Sequence, residues 1–265
     1  MCIRDSFMGA VLVPFDISLA FVSCFLLMLP WVLYAFKMKE TVPLAPKDKR
    51  EKLQIGKLFT NYYFMTYVVL TFAINIYLGI TLVFYPYILA HANVNSDYLG
   101  LVIGFRALVE MGSMSLTGKL RKVIPLPYLV AVSALLFGVE NLIYSGAGSL
   151  AALLCGVVMS GLASGIAFSQ GPAYVQDIVP NELKSTAQVF NAMTMSIVSI
   201  AGTFFGGRII DQYGIAAFNG GLSVIIFCIF LFFVLSLFLG KKVFHFELHS
   251  NQREQENVSR SAVSE

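Results

Sequence analysis

Seven long apolar stretches dominate this chain, at about 7–36, 58–90, 97–118, 124–145, 148–178, 186–207 and 215–240. A helix needs about 20 apolar residues to cross a hydrocarbon core about 30 Å thick. No water is present there to satisfy backbone groups, so a segment of this length has to be helical. Only 12% of residues are charged, about half the share of an average soluble domain. The expected fold class is all-α: a polytopic membrane helix bundle with seven transmembrane helices. The second and fifth stretches are long enough to tilt, kink or extend beyond the bilayer.

The connections orient the bundle. Segments 37–57, 119–123 and 179–185 and the tail after 240 carry fifteen of the 18 basic residues. Basic loops stay on the cytoplasmic side, which puts the N-terminus outside and the C-terminus in the cytoplasm, in a cell-membrane protein. Segment 37–57 is the longest connection, is polar, and contains Pro43 and Pro46. It divides the chain into residues 1–36 (one helix of an earlier unit), a cytoplasmic linker 37–57, a six-helix domain 58–240 and a polar, disordered tail 241–265.

Several function classes lack their chemistry here. The histidines, His91, His245 and His249, all fall outside the spans. Three of the four cysteines, Cys24, Cys155 and Cys228, sit in apolar runs, as small hydrophobes do. No catalytic cluster, metal, cofactor or nucleic-acid partner is expected. A seven-helix receptor-like protein matches the count and the N-out topology. A retinal protein would need a lysine in the last span, and 215–240 has none.

The intramembrane polar residues are the candidate site. Arg106 and Glu110 lie four apart on one helix face. A charge at the centre of a span costs at least about 2.5–3.5 kcal/mol on insertion scales. Either the two line a solute cavity, with Glu110 able to take up a proton, or they form an intrahelical ion pair. Tyr63, Tyr67, Thr71 and Asn75 make a stripe at steps of four that either faces the cavity or joins helices. Gln170, Asn191 and Thr194 are further pathway candidates, and Asp16, beside Pro14, is one from the first span. Small residues at Gly161 and Gly165, Ser160 and Ser164, and Gly202 and Gly206 have the spacing that brings helices close. Gly171-Pro172 is expected to break or bend the fifth span. Arg208 and Asp211, near the outer mouth, are expected to act as a structural pair or gate.

The run from Val179 through Pro180, Leu183, Lys184, Thr186 and Ala187 to Gln188 is followed by an apolar span and then by Gly206, Gly207, Asp211 and Gly214. It resembles the junction of the tenth and eleventh helices in the major facilitator superfamily, in particular the branch of lactose permease and the nucleoside/proton symporters. Gly118-Lys-Leu-Arg-Lys resembles the basic loop between the eighth and ninth helices, without its usual acidic residue. The resemblance covers about residues 7–240 and makes the spans helices six to twelve. It implies a missing N-terminal six-helix half as partner, with a fragment that starts in a truncated reading frame at Met1-Cys-Ile-Arg-Asp-Ser. It further implies a secondary active transporter of a small solute, such as a sugar or nucleoside, working by alternating access with H+ or Na+ as candidate coupling ion. An exporter of amphipathic compounds is the alternative within the superfamily. Glu110 matches the eighth-helix carboxylate that contacts sugar in that branch. Glu140 and Asn141 stand where the branch tends to have arginine. The tenth-helix histidine and glutamate have no counterpart, so the coupling set does not carry over.

Overall fold

The computed structural model describes residues 56–180 and 183–242, with scattered helical positions between Val22 and Phe36. Asp16 and most of the first span, the 37–57 linker and the tail lie outside the described residues, as do Asn181 and Glu182 of the 179–188 motif.

A short helix α1 (Gly56–Thr60) leads into α2 (Tyr62–His91). Asn61 caps α2, its side-chain oxygen accepting from the Phe64 N–H at 3.0 Å. Helices α3 (Leu99–Leu120), α4 (Leu126–Ser145) and α5 (Leu150–Ile178) follow through short connections. Asn95 caps the single 3-10 turn before α3, and Ser149 caps α5. The last element, α6 (Lys184–Lys242), is continuous except at Gly214. Five described helices are long and apolar enough to cross a membrane, and the described elements are all helical.

The sixth and seventh apolar stretches are separate helices, as expected, and they join at a sharp kink. They are two arms of α6, residues 184–213 and 215–242, that meet at Gly214 with φ 81° and ψ 163°. A residue without a Cβ adopts that conformation at little cost, so one position turns the chain. Conversely, α5 is not broken at Gly171-Pro172 and runs on to Ile178. The Pro172 carbonyl accepts from the Gln188 side-chain amide of α6 at 2.9 Å, which ties this end of α5 to α6.

Packing follows from small residues. α2 lies along α6, α4 contacts both α5 and α6, and α3 is held almost entirely by α5. The α3–α5 contact is close because a Cβ at Gly161 would lie 2.8 Å from the Arg106 carbonyl, and one at Gly165 would lie 2.6 Å from the Glu110 carbonyl. Lipid supplies no hydrophobic drive between helices, so such backbone approach and the dispersion it allows hold the pair. The main core runs through Tyr67, Tyr174, Phe137, Tyr77 and Phe233, and a smaller one is built around Tyr85, Tyr144 and Val157. At the expected cytoplasmic end, Arg121 and Asp177 form an exposed ion pair at 3.4 Å that ties the α3–α4 connection to the end of α5. Nearby the Asn61 amide donates to the Ile178 carbonyl at 2.8 Å.

Candidate functional site

A cavity of about 370 Å³ opens between α2, α3, α5 and the first arm of α6. Its polar wall is Asn75 from α2, Arg106 and Glu110 from α3, and Ser196 and Ser199 from α6. Leu78, Ile103, Phe168 and Met195 supply an apolar wall. A mostly apolar concavity with a few convergent polar groups, within the roughly 300–1,000 Å³ of small-molecule sites, is the usual form of a ligand pocket.

Arg106 is buried and Glu110 half-buried. They do not form the intrahelical ion pair that their spacing allows. Arg106 instead reaches across to α5 and donates to the Ser164 hydroxyl at 2.7 Å. The reason is geometric: Gly161 and Gly165 let α5 sit against the backbone of α3, and the arginine side chain then lies beside the α5 hydroxyl face rather than one turn along its own helix.

The other sequence candidates are distributed. Asn75 joins Arg106 and Glu110 at the cavity. Thr71 and Asn191 meet each other, the Thr71 hydroxyl lying 3.4 Å from the Asn191 side-chain oxygen. They sit one helical turn from Asn75 and Met195 and form a polar contact beneath the cavity rather than part of its wall. Tyr67 is in the main core, its ring 5.2 Å from that of Tyr174. Gln170 is also buried, donating to the Ser169 hydroxyl at 3.2 Å while its side-chain oxygen has no partner among the described residues. Arg208 and Asp211 do not pair: the Arg208 guanidinium lies 4.8 Å over the ring of Phe204, and both residues are exposed. The one-turn offset of Phe204 offers the cation an aromatic face within the roughly 6 Å at which such contacts are favourable.

Behind the cavity is a buried polar cluster that the spacing argument did not find. Glu140 is fully buried, and Oε1 of its carboxyl accepts a short hydrogen bond from the Tyr77 hydroxyl. Tyr85 and Tyr144, also buried, join their hydroxyls at 2.9 Å next to it. The Ser160 hydroxyl and the second Glu140 oxygen, Oε2, have no partner among the described residues, and neither does Arg106 Nε. One signal was available. Glu140 is an acid inside an otherwise apolar span, the same feature that singles out Glu110, and Tyr77, Thr81 and Tyr85 repeat the step of four on α2.

No curated protein matches the sequence. The sequence does match the MFS_1-like family over residues 4–220, a stretch that includes α1 to α5, the first arm of α6 and every cavity residue. Given that match and the apolar helices around a polar-walled cavity, the chain belongs to the MFS_1-like family of major facilitator superfamily transporters, a membership that points to transport rather than catalysis.

Proposed function

We propose that this protein is a secondary active transporter of a small polar solute, such as a sugar or nucleoside, and that the cavity walled by Asn75, Arg106 and Glu110 is its solute-binding surface. The observation that carries the reading is that Arg106 and Glu110 both face the cavity without neutralising each other. A guanidinium and a carboxylate held apart offer a fork of donors and a pair of acceptors to a polyhydroxylated solute. Asn75, Ser196 and Ser199 add neutral partners.

The polar groups of the cavity come from three separate helices, α2, α3 and the first arm of α6. This fits one wall of a pathway whose second wall is another six-helix half, the two rocking about a midplane site in alternating access. In this reading the protein resides in the plasma membrane, with the C-terminus in the cytoplasm. An amphipathic compound is the second candidate solute, because Phe168, Ile103 and Met195 make much of the wall apolar.

The test is ligand-dependent thermal stabilisation of the purified chain, using a panel of hexoses, disaccharides, nucleosides and amphipathic cations. A polar solute should stabilise the wild type, and Asn75→Leu and Glu110→Gln should each abolish the shift. Stabilisation that survives both substitutions would refute the site.

A further inference from the structure

Pro86 in α2 and Pro172 in α5 each sit in the interior of a described helix. Proline has no N–H, so each leaves the carbonyl four residues earlier without its helical donor. Those carbonyls belong to Leu82 and Phe168, and both residues line the cavity. Each helix continues past its proline, so the backbone stays helical around the freed carbonyl. The proline ring also pushes that carbonyl aside, on the helix face that residues four apart share. For Phe168 and Pro172 this face is exposed and borders α2 and α6. A Cβ at Gly171 would lie 2.7 Å from the Tyr67 hydroxyl of α2, and the Pro172 carbonyl accepts from Gln188 of α6 at 2.9 Å. The same two helices supply the cavity wall that faces Phe168.

A carbonyl freed by proline inside a membrane domain needs another donor. The side-chain donors around Phe168 are committed elsewhere. Ser169 donates to the Gly165 and Ile166 carbonyls at 2.6 and 3.2 Å, and the Gln170 amide donates to the Ser169 hydroxyl. On the facing arm of α6, the Gln188 amide goes to the Pro172 carbonyl and the Ser196 hydroxyl to the Ala192 carbonyl. We propose that the Leu82 and Phe168 carbonyls are acceptor subsites of the cavity, each taking a hydroxyl or N–H donor of the bound solute.

The two subsites stand apart. α2 and α5 run in opposite directions across the bundle, and Leu82 and Phe168 each lie in the second half of their helix. One acceptor is therefore at each end of the cavity, with Arg106 and Glu110 between them. A solute that meets both carries donors at its two ends, as a sugar or a nucleoside does. Backbone acceptors are also held by the helix itself, so no side-chain rotamer has to be ordered when the solute binds.

This assignment rests on the reading of the cavity as the solute site, so its first test uses no solute. Phe168-Ser169 is the one Phe-Ser step in the sequence. Isotope labels on the carbonyl carbon of Phe and the nitrogen of Ser therefore select a single peptide bond in solid-state NMR of the chain in lipid nanodiscs. The Phe168 carbonyl should receive polarisation from cavity water in the wild type. Pro172→Ala supplies the missing helical N–H, and should shift the signal downfield and end that transfer. Tyr67→Phe removes the hydroxyl that lies against Gly171 and should leave the signal where it is. A wild-type signal already at the Pro172→Ala position, or one that moves in Tyr67→Phe, would overturn the open acceptor. The second test uses sucrose and uridine as probes, read by thermal stabilisation. The probe that stabilises the wild type should move the Phe168 signal, and should bind Pro172→Ala and Pro86→Ala each about two- to tenfold more weakly. Unchanged binding in both variants would overturn the solute contact. Failure of both probes to stabilise the wild type would count against the solute-site reading, while the open carbonyl is decided by the first test.

Discussion

Substituting Gly165 by alanine probes the contact on which the placement of Arg106 and Glu110 depends. The new Cβ would lie 2.6 Å from the Glu110 carbonyl oxygen and 2.6 Å from the Ser113 Cβ. Ordinary contact begins near 3.4 Å, and the oxygen is backbone, so it cannot rotate away. α5 and α3 must part by close to 1 Å, a displacement of the kind that costs about 1–3 kcal/mol when a packed interior is overfilled. Against this, alanine is favoured over glycine within a helix by about 1 kcal/mol. Gly112→Ala on α3 isolates that second effect, because a Cβ there meets nothing within 4 Å. Gly112→Ala should therefore be neutral or stabilising by up to about 1 kcal/mol. Gly165→Ala should be less stable than Gly112→Ala by about 1–3 kcal/mol. The assay is equilibrium unfolding of the purified chain in mixed detergent micelles, monitored by helicity. α3 has few neighbours other than α5, so the same substitution should weaken any solute binding that needs Arg106 and Asn75 together. Equal stability of the two variants would refute the close-approach argument.

Two further outcomes follow from local geometry. Gly214→Ala places a Cβ on a residue at φ 81°, so it should cost about 1–2 kcal/mol and loosen the angle between the two arms of α6. Spin labels on the arms would report this as a broadened distance distribution, and an unchanged distribution would contradict the hinge. A double-mutant cycle on Arg121 and Asp177, both substantially exposed, should give a coupling below about 1 kcal/mol that declines with added salt. A larger, salt-independent coupling would mean that this end of the bundle is less hydrated than the structure shows.

The helices themselves were legible in the chain. Expected spans at 97–118, 124–145 and 148–178 become Leu99–Leu120, Leu126–Ser145 and Leu150–Ile178. The bilayer imposes one length and one conformation on every apolar run, so a linear signal suffices. The division between the last two spans was legible too, although a single glycine at 214 makes it. The break allowed at Gly171-Pro172 does not occur, since α5 runs through the proline to Ile178.

The candidate site was half legible. Arg106, Glu110 and Asn75 stood out as polar groups in apolar surroundings, and they share one cavity. Thr71 and Asn191, 120 positions apart, could not be recognised as each other's partner. The ion pairs that spacing allowed as one alternative, Arg106 with Glu110 and Arg208 with Asp211, do not form, and the two arginines meet Ser164 and Phe204 instead.

What the residue order determined by itself was the helical class, the span boundaries and the presence of charges that must be sheltered, because each follows from the transfer cost of one segment. Which groups shelter one another was decided only by lateral packing. Glu140 acquires Tyr77 across 63 positions, and Arg106 acquires Ser164 because glycines on α5 bring that helix against α3. Such contacts depend on the distances between whole helices, and no spacing within a single helix encodes them.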